Sequence, residues 1–162
     1  MLRAEGKSPL SYPEFLAMCK TSVGERKYAQ LEALTLSDDR GPLLGEWSKF
    51  YRACRRELGA LRRKRLGRSA SDAADGALSG AIAAAIANKD PLEAENALLA
   101  LQFQKVDELI GNHLFDDCAL MGYALKLKLL ERKDVFEQGS GRAELERILG
   151  GLEEQILLGE GE

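Results

Sequence analysis

Residues 118–130 read Cys-Ala-Leu-Met-Gly-Tyr-Ala-Leu-Lys-Leu-Lys-Leu-Leu, with Lys126 and Lys128 as the only charges among them. A helix that is apolar on nearly every side must be covered by neighbours on several sides. This segment therefore predicts the central, buried helix of a bundle, running over about 116–137. The composition agrees. Leu (28) and Ala (21) far outnumber Val, Ile and Thr taken together (10), and such an excess of helix formers over β-branched residues predicts an all-α chain. At 162 residues, 45% apolar and 30% charged, the chain has the length and balance of a single globular domain. That domain is expected over 1–158, with a frayed tail at 159–162.

Start and stop signals on either side of the central helix predict six or seven helices in all. Ser11 followed three residues later by Glu14 is a capping box with Pro13 in the first turn, opening a helix to about residue 20. Ser22 and Glu25 repeat the pattern and open a second helix to about 34. The run Ser37-Asp-Asp-Arg-Gly-Pro42 is a loop by its turn residues. A long helix is expected over 43–66, ended by Gly67. Ser69 or Ser71 would cap an Ala-rich helix to about 88, in which Gly76, Gly80 and Ala84 recur four apart and permit close packing. Asp90, Pro91 and Glu93 form a complete N-terminal signal for a helix to about 110. Asp116 caps the central helix, and 139–141 break the chain before a last helix over 142–158. Phe15, Tyr28, Phe103, Tyr123 and Phe136 all fall on these helices and are core candidates.

Most catalytic classes find no support. The chain has one His, His113, placed at a turn, where a capping role explains it better than chemistry. Cys19, Cys54 and Cys118 are odd in number and widely spaced, as small core residues in a reducing compartment would be. There is no CxxC, no HxxxH, no P-loop and no GxGxxG. No catalytic, cofactor-binding or metal-ligating residues are predicted, and the chain reads as non-enzymatic. The N-terminus lacks an apolar leader segment, and neither near-apolar run, 77–87 or 118–130, approaches the roughly 20 residues of a membrane span. A cytoplasmic protein without membrane insertion is expected.

One segment stands out by charge. Residues 49–68 contain nine Lys or Arg and a single acid, Glu57, a net +8 in a chain whose total is −3. Helical geometry divides them. Trp47, Tyr51, Cys54, Leu58 and Leu61 form one apolar stripe. Arg62 and Arg65 fall at or within that stripe, so they are expected to be partly buried and matched by carboxylates. Glu108 and Glu131 are chosen as members of this structural ion-pair network, from a set that also includes Glu93, Glu95 and Asp107. Lys49, Arg52, Arg56 and Arg63 point the other way and are the candidate partner-binding row. The alternatives are a simply solvated face and a docking face. For docking, an acidic protein ranks above nucleic acid, because the overall pI is about 5.4 and no aromatic residue interrupts the row for base stacking.

Several segments in fixed order carry a family likeness. They are Pro9-Leu-Ser-Tyr-Pro-Glu-Phe-Leu-Ala-Met-Cys19, Trp47-Ser-Lys-Phe50, Arg56-Glu-Leu-Gly-Ala-Leu-Arg62 with Arg65-Leu-Gly-Arg68, and Asp90-Pro-Leu-Glu-Ala-Glu95. Val106-Asp-Glu-Leu109, His113-Leu-Phe-Asp116 and Tyr123-Ala-Leu-Lys-Leu-Lys-Leu-Leu-Glu-Arg132 complete the set. Together they resemble a small bacterial family encoded with V-type ATP synthases and described as C-subunit-like. Phe103 stands where that family carries Trp. The resemblance implies a component or accessory protein of the V-type ATPase, a stalk-like element between the ion-translocating ring and the catalytic head. It also implies V-type ATPase subunits as partners, and a cytoplasmic location peripheral to the inner membrane through the complex. It brings no catalytic residues.

Overall fold

The computed structural model describes residues 2–4, 8–68, 76–88 and 90–134. They form an all-α bundle of six helices: α1 (Tyr12–Ser22), α2 (Glu25–Glu32), α3 (Pro42–Arg65), α4 (Gly76–Ile86), α5 (Pro91–Ile110) and α6 (Asp117–Asp134). The expected break at 139–141, the helix over 142–158, Phe136 and the Ser69 or Ser71 cap lie outside the described residues.

Most helix ends follow their sequence signals. The Ser11 hydroxyl accepts from the Glu14 N–H while Glu14 accepts from the Ser11 N–H at 2.7 Å, a complete capping box. Asp90 accepts from the Leu92 N–H at 2.8 Å, ahead of Pro91. Asp116 accepts from the Ala119 N–H at 2.9 Å and so opens α6. At the end of α3, Arg68 N–H bonds Arg63 C=O at 2.9 Å and Gly67 N–H bonds Lys64 C=O at 3.1 Å. This is a Schellman closure, and it needs the left-handed φ of +68° that Gly67 supplies. The second capping box does not form. Val23 is extended and ends α1, the Ser22 hydroxyl turns back to donate to Met18 C=O, and Gly24 is the N-cap of α2, without a side-chain bond.

The apolar segment that predicted a central helix behaves as one. Ala124, Leu125, Leu127, Leu129 and Leu130 of α6 are each no more than 1% exposed. They pack in one large core with α1, α2, the first half of α3 and the second half of α5. A second cluster, built on Cys54, Ile82, Ala85 and Leu98, joins α3, α4 and α5, and Phe50 touches both clusters. Trp47 is fully buried, stacks on Tyr51 at 5.6 Å and donates to Leu36 C=O at 3.0 Å. That bond anchors the loop between α2 and α3. Helices α5 and α6 approach so closely at Gly122 that a Cβ there would lie 2.4 Å from the Ile110 side chain.

Two polar ties fix α6 against its neighbours. The Tyr12 N–H at the start of α1 donates to Glu131 Oε1 at 2.9 Å, and Lys128 lies 3.6 Å from the centre of the Tyr12 ring. Carboxylate and cation from α6 thus hold the first turn of α1, whose free N–H groups need acceptors. Farther along, the Tyr12 hydroxyl donates to Leu31 C=O at 2.7 Å and binds the end of α2. Among the described helices none is long and apolar enough to cross a membrane.

Candidate functional site

The apolar stripe of α3 is placed as its sequence angles predict: Trp47, Tyr51 and Cys54 are buried and Leu58 and Leu61 partly so. The opposite row, Lys49, Arg52, Arg56 and Arg63, is exposed. Its members differ in what they face. Lys49 pairs with Glu46 at 2.6 Å, one turn back on the same helix, and Arg52 pairs with Asp39 of the preceding loop at 2.9 Å. Arg56 and Arg63 are exposed and make no ion pair among the described residues. Arg55, Arg62 and Lys64 are exposed in the same way. The first part of the row is therefore neutralised by the chain's own carboxylates. The positive field is concentrated from Arg55 to Lys64, about 14 Å of helix at 1.5 Å per residue. Glu57, the one acid of this segment, is turned inward at 4% exposure.

Among the described side chains, Arg62 makes no ion pair with Glu108 or Glu131. Arg62 is exposed rather than partly buried, and the Arg65 side chain lies outside the described ones. Glu108 pairs instead with Lys105 at 3.2 Å, on its own helix. Glu131 faces Lys128 at 3.6 Å and accepts from the Tyr12 N–H. The reason is visible along α3. No described side chain from Leu61 to its C-terminus is buried, and the following Leu66 is 71% exposed. Arg62, at the edge of the stripe, thus stands where the described side chains of the helix are at most half-buried. Among the described residues the buried cation is Lys126 of α6, 3% exposed, which is matched by Asp107 of α5 at 2.5 Å and lies 5.3 Å from the Phe103 ring centre. Arg132 reaches Glu95 at 3.6 Å and donates to the Tyr51 hydroxyl at 3.2 Å.

His113 occupies the turn between α5 and α6. Its Nδ1 meets the Asp116 carboxylate, whose other oxygen holds the Ala119 N–H. Those contacts, the Ala119 N–H foremost, keep the Asp116 carboxyl below the usual carboxylate range. The same turn presents a feature with little warning in its residues. Leu114 and Phe115 are 74% and 105% exposed, and Phe115 is held at φ +56°. A side chain of this size in the left-handed region, outside the core, marks a strained and projecting turn. Burial pushes the Cys54 thiol up to about 11 and also raises Cys19 and Cys118, so each is protonated at neutral pH and a poor nucleophile there. Among the described residues, no group of three His, Cys, Asp or Glu side chains is placed to hold a metal ion.

The surface thus offers two features suited to contact: a cationic C-terminal half of α3 and an apolar knob at the α5–α6 turn. No protein-family model, curated protein or solved structure matches the chain.

Proposed function

We propose that this chain is a non-enzymatic component or accessory protein of a bacterial V-type ATP synthase. In this reading it is a C-subunit-like element of the central stalk that joins the membrane ring to the catalytic head. It would reside in the cytoplasm, peripheral to the inner membrane through the complex. The ordered set of motifs from Pro9 to Arg132 motivates the assignment. The observation that carries it furthest is the cationic C-terminal half of α3, where exposed Arg55, Arg56, Arg62, Arg63 and Lys64 make no ion pair among the described residues. A stalk element works by shape and interface, and an exposed field of one sign orients association with an acidic partner. Phe115, projecting and strained, is a second contact point of the kind that anchors an interface.

The test is a native pull-down of the tagged chain from gently solubilised membranes, at low and moderate salt. Recovery of V-type ATPase subunits in constant ratio is expected. Their absence under both conditions overturns the assignment. The exposed cations also favour a second reading, a free-standing helical adaptor that binds acidic protein or RNA. Charge reversal at Arg56 and Arg63 separates the two. It should abolish binding by an adaptor whose site is this face, whereas a stalk element held over a broad interface should lose only part of its affinity.

A further inference from the structure

The end of α3, the first half of α5 and the last turns of α6 line a half-open cavity of about 740 Å3, within the range of sites that hold small organic molecules. Leu99 and Leu129 form an apolar wall at 7% and 1% exposure, and Leu92, 43% exposed, stands at the rim. Gln102 lines the same cavity. It is 5% exposed, yet its amide makes no hydrogen bond among the described residues. Ser48 Oγ is the one fully buried side-chain polar atom without a partner among the described residues, so the Gln102 amide is open to the cavity and takes its hydrogen-bond partner from there.

The charges around the opening are unequal in their engagement. Arg132 is occupied by Glu95 and the Tyr51 hydroxyl, and Lys133 donates to Ala4 C=O at 3.1 Å. Asp90 is occupied by the Leu92 N–H. Arg62, which also lines the cavity, has no ion pair among the described residues. Among the described residues the lining carries three cations against two carboxylates, with Arg62 left over. A neutral apolar guest would leave both Gln102 and Arg62 unanswered, and a cationic guest would meet a surplus of positive charge.

We infer that this cavity binds an amphipathic carboxylate, an aliphatic chain ending in an anionic head. The chain lies against Leu99 and Leu129, Gln102 donates to a head-group oxygen, and Arg62 supplies the counter-charge. The inference does not depend on the ATP synthase reading, because it concerns a site that a free chain also possesses.

Calorimetric titration of the full chain with decanoate, kept below its micelle-forming concentration, tests it, with decanol as the uncharged control. Decanoate is expected to bind saturably, one per chain. Decanol should bind about tenfold more weakly, as loss of a charge-assisted contact requires. Gln102→Leu keeps the volume and removes the amide, and is expected to weaken decanoate by about tenfold as well. Leu99→Trp fills the cavity and should eliminate binding. Leu92→Trp, at the exposed rim, gives the same block without entering the core should the first variant fail to fold. Equal affinity for decanoate and decanol, several equivalents bound per chain, or binding that survives both Gln102→Leu and the tryptophan block would overturn the inference. So would the absence of saturable decanoate binding alongside capture of an acidic, leucine-bearing peptide in the same groove, which would assign the site to a protein partner.

Discussion

Lys126 shows how a single residue can carry more than its surroundings suggest. Its side chain is 3% exposed, while its partner Asp107 keeps 44% of its own surface open. The pair is therefore an interior cation satisfied by a carboxylate at the boundary. Removing the carboxylate strands the ammonium, and Asp107→Ala is expected to cost about 3 kcal/mol in urea unfolding. Replacing the cation instead, by Lys126→Met, removes the desolvation problem along with the charge and should change stability by no more than about 1 kcal/mol. A loss below about 1 kcal/mol for Asp107→Ala would mean that water reaches the ammonium. Phe115 is the opposite case, a large side chain that contributes no burial. The left-handed backbone costs a non-glycine residue roughly 1–2 kcal/mol. Phe115→Gly relieves that strain while adding freedom to the unfolded chain, so a net gain of about 0.5–1 kcal/mol is expected in the same melt. If the knob is a contact of the assembly, the stabilised variant should recover less of its partners in the pull-down. A gain in stability with unchanged recovery would remove Phe115 from the interface.

Between elements, the tightest constraint is the contact of α5 and α6. Gly122 leaves no space for a methyl group, because Ile110 Cγ1 and Cδ1 both lie 2.4 Å from where it would be, with Val106 Cγ1 at 3.5 Å. Alanine is the better helix former by about 1 kcal/mol, yet overpacking typically costs about 1–3 kcal/mol. Gly122→Ala should thus destabilise on balance, by about 1 kcal/mol. Ile110→Ala removes the clashing atoms, so the double variant should be more stable than the sum of the single losses predicts, by more than about 0.5 kcal/mol. Strict additivity would place the strain elsewhere. This contact also marks what the sequence makes legible at the level of elements. Helix starts are local chemistry, and Ser11 with Glu14, Asp90 with Pro91, and Asp116 could all be read directly. Ser22 with Glu25 has the same letters but fails, because Val23 between them is extended and the chain turns at Gly24. The burial of charges is not local. Angles around α3 placed Arg62 correctly relative to Leu58, but they carried no information on where neighbouring helices end. Among the described residues the buried cation, Lys126, lies on α6, whose apolar residues sit in the large core.

At the level of the whole molecule, the class of fold was legible because the composition and one apolar segment both depend on a single fact, the need of α6 for cover on all sides. The surface was only half legible. The outward direction of Lys49, Arg52, Arg56 and Arg63 followed from helical periodicity, but their pairing did not, since Asp39 reaches Arg52 across a loop. The cavity beside Gln102 was invisible, because it arises where three helices meet. Global stability should record the interior's buried acids most clearly at alkaline pH. Burial raises the Cys54 thiol from an ordinary value of 9.0 to about 11. Burial, followed by the Glu131 charge, raises the Tyr12 hydroxyl as well. For both groups the folded state retains a proton that the unfolded chain surrenders first. Their contribution is thus fully present below about pH 9 and is lost as pH rises toward and through the folded values. On the acid side the lowered carboxyls, Glu14, Asp38, Glu46 and Asp116, are mostly at the surface. They favour the fold above their ordinary range and lose that effect as pH falls, with little amplitude expected from exposed groups. Urea midpoints measured across this range should therefore show a broad plateau and a steeper decline above about pH 9 than on the acid side. Cys54→Ala is expected to flatten the alkaline limb, whatever it does to the plateau, because it deletes one of the raised titrations. An alkaline limb with the same slope in that variant would mean that opening of the α3–α4–α5 cluster, where Cys54 lies, precedes global unfolding and exposes the thiol before the rest of the bundle gives way.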